Sequence, residues 1–95
     1  MPEIRFKIQW PDGSQNVCYS PSLVVKDYFT PNCEYDLEDF VERSRTALQI
    51  ASDRVQLKYG RPCGLALGQL EEIVMKSFEY KNFTEPKVQV IQFIE

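Results

Sequence analysis

Histidine is missing from this chain of 95 residues, and glycine occurs only four times. Without histidine the chain has lost the side chain that most often serves as general base or metal ligand near neutral pH. With so little glycine there is no phosphate-cradling loop, and no nucleophile stands beside a recognisable base. Basic charge is also short: 11 Lys and Arg against 14 Asp and Glu leave a formal net charge of -3. That balance argues against a broad footprint on nucleic acid or anionic lipid, because such binding releases counterions to a basic surface. Apolar runs fall well below the roughly 18 residues needed to cross a bilayer. The start, Met1-Pro2-Glu3-Ile4-Arg5-Phe6, has neither the basic end nor the apolar stretch of a secretory leader, so a cytoplasmic chain with no membrane partner is expected. Cys18, Cys33 and Cys63 are odd in number, with spacings of 15 and 30. They fit neither a disulfide framework nor a paired-thiolate metal site, and three reduced thiols with no metal and no cofactor are expected.

What remains is enough for one folded domain over residues 1–95, since 43% hydrophobic and 26% charged residues lie outside the disordered range. Ile4, Phe6, Ile8 and Trp10 alternate with Glu3, Arg5, Lys7 and Gln9, which is a strand with one buried face. Pro11-Asp12-Gly13-Ser14 is turn chemistry and predicts a hairpin. A four-residue loop sets Val17 opposite Ile8 and Tyr19 opposite Phe6 and turns Cys18 away from the helices, whereas a three-residue loop brings Asn16, Cys18 and Ser20 inward; the four-residue loop is preferred because it keeps apolar faces together. Residues 22–35 are ambiguous between extended chain and one helical turn capped by Ser22, with Thr30-Pro31-Asn32 as a surface loop.

Two amphipathic helices follow between Asp36 and Tyr80, joined by the tight turn Tyr59-Gly60-Arg61-Pro62. Asp36 is placed to cap the first on the Asp39 amide, with Tyr35 stapled onto Phe40. Leu37, Phe40, Val41, Ser44, Ala47, Leu48, Ala51 and Val55 recur at helical steps, and Gly60 suits the left-handed cap. Ala66, Leu70, Ile73, Val74, Ser77 and Phe78 form the second buried stripe, and the short connection implies antiparallel packing. Residues 87–94 are strand-like with a phase shift between Val90 and Ile91, which predicts a central strand, a bulge or a covered second face. The fold class is α+β: an N-terminal β-hairpin and the C-terminal strand form a small sheet with an antiparallel helical hairpin on one face.

Candidate sites are sparse. At the inter-helix turn, a helix N-terminus, the Arg61 fork and the Cys63 thiol, with Tyr59 and Arg54 nearby, can make an anion or small-molecule site; a tight turn with a packed cysteine explains the same residues. Trp10, Arg43, Ile91 and Phe93 are candidates for a protein contact surface, against the simpler reading of Trp10 as a core edge and Arg43 as an ordinary helix charge.

Trp10-Pro11-Asp12-Gly13, the run from Cys18 to Val25, the run from Ala47 to Val55 and Tyr59-Gly60-Arg61-Pro62-Cys63 together resemble a family of small bacterial proteins linked to the nitrogen-starvation response. The resemblance spans nearly the whole chain. It implies a gene neighbourhood shared with a nitrilase, and hence an accessory or regulatory role acting on itself or on an enzyme of that cluster. It carries no catalytic residue. A non-catalytic protein of nitrogen metabolism is the expected function, with a small-molecule or anion sensor at the Tyr59 to Gly64 turn, or a thiol enzyme using Cys63, as alternatives.

Overall fold

The computed structural model describes residues 3–95, so Met1 and Pro2 of the leader reading lie outside the described residues. β1 (Ile4–Gln9) and β2 (Gln15–Ser20) form the hairpin, α1 (Val25–Tyr28) is a single turn, and β3 (Cys33–Asp36) runs directly into α2 (Leu37–Tyr59). α3 (Gly64–Ser77) continues through a 3-10 turn (Phe78–Tyr80) before β4 (Lys87–Ile94). The sheet is antiparallel throughout, in the order β2-β1-β4-β3. Its inner face, with Ile4, Phe6, Ile8, Val88 and Val90, packs on Phe40, Ala47, Leu48 and Ile73 in an α+β arrangement.

The hairpin register differs from the expected one. Ile8 pairs with Asn16, Phe6 with Cys18 and Ile4 with Ser20, so Cys18 is buried and Val17 is exposed. The loop is the tighter alternative: the Gly13 amide donates to Trp10 O at 2.9 Å, Gly13 adopts φ +89°, and the Trp10 amide donates to Ser14 O. A left-handed residue after the turn is the usual form of a three-residue hairpin loop. The small inward side chains also suit this edge, because α3 comes down on β2 and the Gln69 amide oxygen accepts from the Tyr19 N–H at 3.0 Å.

Residues 22–35 resolve into a helical turn followed by a strand that the sequence pattern did not announce. Ser22 Oγ accepts from the Val24 amide, and the Asn32 amide donates to Val90 O with Asn32 at φ +64°, turning the chain into β3. β3 pairs with β4, placing Asp36 opposite Lys87. The two side chains form an ion pair, so Asp36 makes no cap bond to α2; the Leu37 amide instead donates to Pro86 O. Tyr35, expected on Phe40, packs edge-on against Phe29, and Phe29 carries the contact to Phe40.

β4 is both central and bulged. Lys7 pairs with Gln92 but Ile8 with Val90, leaving Ile91 as the extra residue. The extra residue resets the pleat, so Phe93 returns to the face of Phe6 instead of giving the strand a second apolar side.

Candidate functional site

Gly60 ends α2 as expected, with φ +83° and its amide donating to Gln56 O at 2.7 Å. The Cys63 amide donates to Ser52 Oγ at 3.1 Å, which ties the start of α3 back to the buried face of α2. Cys63 is half-buried, whereas Tyr59 and Arg61 are exposed. Arg54 does not close on them: its guanidinium donates to Ser22 Oγ at 3.0 Å, and among the described residues no hydrogen bond or ion pair links Arg54, Tyr59, Arg61 and Cys63.

The proposed contact residues are also dispersed. Trp10 lies in the core at 2% exposure, stacked on Tyr80 at 5.5 Å and edge-on to Phe40, with Nε1–H donating to Asn16 Oδ1. Its position corrects the surface reading, and the reason is the loop: the tight turn lays the indole over the end of the helical layer. Arg43 donates to Asp39 and to the Tyr28 carbonyl and stacks on Tyr35, so it pins α1 to α2. Ile91 and Phe93 are half-buried at and beyond the bulge.

The cysteines are unpaired, and no group of His, Cys, Asp and Glu among the described residues is placed to hold a metal. Burial, with the Glu72 charge nearby, pushes the Cys18 thiol up to about 12. Burial, followed by the proximity of Cys63 and Glu3, also raises the Tyr19 phenol. The bond from Lys87 to Asp36 raises the ammonium in turn.

A different surface stands out between the start of α2 and the end of α3. Here lies an open groove of about 870 Å³ with Leu37, Val41, Val74 and Phe78 on its floor. Glu38, Glu42 and Glu85 border it together with Lys81 and the Asp36–Lys87 pair. Sequence periodicity put Phe78 in the buried stripe, but it is 52% exposed. The cause is its place on the helix: Ala66, Ile73 and Ser77 hold the buried face, and Phe78 stands one step, about 100°, beyond Ser77 on the open side, while Tyr80 comes round to the core. The Lys81 ammonium rests 4.1 Å from the Phe78 ring centroid.

No helix among the described residues is long and apolar enough to cross a membrane. No curated protein and no solved structure matches the chain significantly. The family model of the nitrogen starvation-induced protein NitG matches residues 5–93, which takes in every segment that carried the resemblance to nitrogen-starvation proteins. The chain belongs to this NitG family.

Proposed function

We propose that this nitrogen starvation-induced chain is a non-catalytic accessory or regulatory protein that acts by docking another polypeptide in the groove between α2 and α3. The observation that carries the reading is the groove itself. Phe78 and Val74 form apolar surface beside the carboxylates of Glu38, Glu42 and Glu85, the layout of an apolar contact centre inside a charged rim. Family membership supplies the setting, and the partner is a second copy or an enzyme induced in the same response. The contact lies away from the Tyr59 to Gly64 turn, so it needs no ligand there.

The test is co-purification from nitrogen-starved cells, with tagged chain and quantified partners, comparing the natural sequence with Val74→Asp. Val74 is only partly buried, so the folded variant is obtainable and its melting temperature is checked first. A polypeptide recovered in stoichiometric amount with the natural sequence and lost with the variant is expected. Identical partner profiles from both proteins would remove the groove from the account.

A further inference from the structure

We propose that the groove is filled by the tip of the helical hairpin of a second copy of this chain, the two copies pairing about a two-fold axis with their α2 helices antiparallel. This rests on the docking reading above and names the occupant.

The tip is the first reason. Leu57 is 89% exposed, Leu65 69% and Tyr59 61%, and all three surround the turn between α2 and α3. Residues 54–70 contain Arg54, Lys58 and Arg61 and no acidic residue. The tip is therefore apolar and basic. The groove, with Phe78 and Val74 beside Asp36, Glu38, Glu42 and Glu85 against Lys81 and Lys87, is apolar and acidic on balance. Each surface offers what the other lacks, and both belong to one chain, so a self-contact joins opposite charges around apolar centres.

Geometry is the second reason. The 23 residues of α2 rise about 1.5 Å each, roughly 34 Å in all, in a molecule 43 Å long. Groove and tip thus sit at opposite ends of the same helix. Turning one copy antiparallel to the other brings each tip to the other's groove, and both contacts form together. An unrelated partner covers one surface and leaves the other in water. The two-fold pair covers both and closes at two copies, where a head-to-tail contact would go on adding chains. A stable dimer needs roughly 800 Å² from each copy, a modest share of a 5612 Å² surface that spans both ends of the hairpin.

Sedimentation of the purified chain from about 1 to about 300 µM tests this directly. The expected result is a monomer–dimer equilibrium without larger species, weakened by added salt because the contacts are charged. Two variants sharpen it: Glu38→Lys with Glu42→Lys reverses the groove, and Lys58→Glu with Arg61→Glu reverses the tip. Each alone should weaken dimerisation by roughly tenfold or more. Mixed in equal amounts they should recover it, since one heterodimer contact is natural and the other is reversed on both sides; a damaged fold does not recover on mixing. A natural chain that stays monomeric, species that grow beyond two, or a mixture no tighter than either variant would overturn the pairing. If the pairing fails while Val74→Asp still strips a polypeptide in cells, the docking reading stands with a different occupant.

Discussion

α2 is one continuous helix with two different surroundings. Over its first half Phe40, Ser44, Ala47 and Leu48 are fully buried between the sheet and α3, and Phe40 meets both Trp10 and Phe29. Over its last two turns the same helical spacing carries Val55, half-exposed, and Leu57, almost wholly exposed. The sheet is shorter than the helix, so the far end of the hairpin runs beyond any inner face that could cover it. Apolar residues in a helix are therefore not all there for the core: those beyond the sheet are surface, and here Arg54, Lys58 and Arg61 lie among them.

The largest expected effect tests the buried half. Phe40→Ala should cost about 3 to 5 kcal/mol, because it removes a fully buried ring from a close-packed aromatic cluster. Leu57→Ala should change the stability of the monomer by less than about 0.5 kcal/mol. Urea denaturation at low protein concentration measures both, and similar losses at the two positions would erase the contrast.

Next in size is a pH effect on the sheet side of α3. The Cys18 thiol lies at about 12 when folded against an ordinary 9.0. A raised folded pKa means that the native state holds the proton more tightly, so this contribution is fully present below pH 9.0 and is lost as pH climbs toward 12. That difference corresponds to about 4 kcal/mol across the window. The stability of Cys18→Ala should therefore fall less steeply from neutral to alkaline pH than that of the natural chain. Parallel curves would mean that Cys18 is not held as buried as the structure places it.

Two serines on the buried face of α2 separate a used hydroxyl from an idle one. Ser52→Ala should cost about 1 kcal/mol by leaving the Cys63 amide without its acceptor. Ser44 Oγ is buried with no hydrogen-bond partner, so Ser44→Ala should be neutral or stabilising by up to about 1 kcal/mol. Thermal melts of the pair decide it, and a larger loss at Ser44 than at Ser52 would reverse the assignment. Smallest of all, Lys87→Ala should leave the melting temperature almost unchanged, since its pair with Asp36 is exposed.

Much of this layout could be read from residue spacing. The alternation from Ile4 to Trp10, the helical steps from Leu37 to Ala51, the left-handed Gly60 and the phase break at Val90-Ile91 each have one local cause, and each appears where its cause put it. What could not be read depended on neighbours distant in sequence. β3 holds four residues with only Cys33 and Tyr35 turned inward, too short for alternation to be distinguished from a loop, and β4 makes it a strand. The inward choice of Cys18 and Ser20 over Val17 and Tyr19 follows from the three-residue loop and from α3 above, not from hydrophobicity. The groove was hidden because Phe78 stands one helical step past Ser77, at the margin of the buried stripe, where spacing alone does not decide burial. Trp10 lies in the core because the tight turn folds it there, which its place beside a hairpin loop does not announce.

The claim that the outer end of the groove is a contact surface is tested most directly by a photo-cross-linking side chain at position 78, activated in nitrogen-starved cells. The account predicts a discrete adduct joining this chain to a second polypeptide, with the attached residues falling between 57 and 65 when that polypeptide is another copy. Illumination that leaves only monomer, with cross-links confined to the same chain, would contradict it.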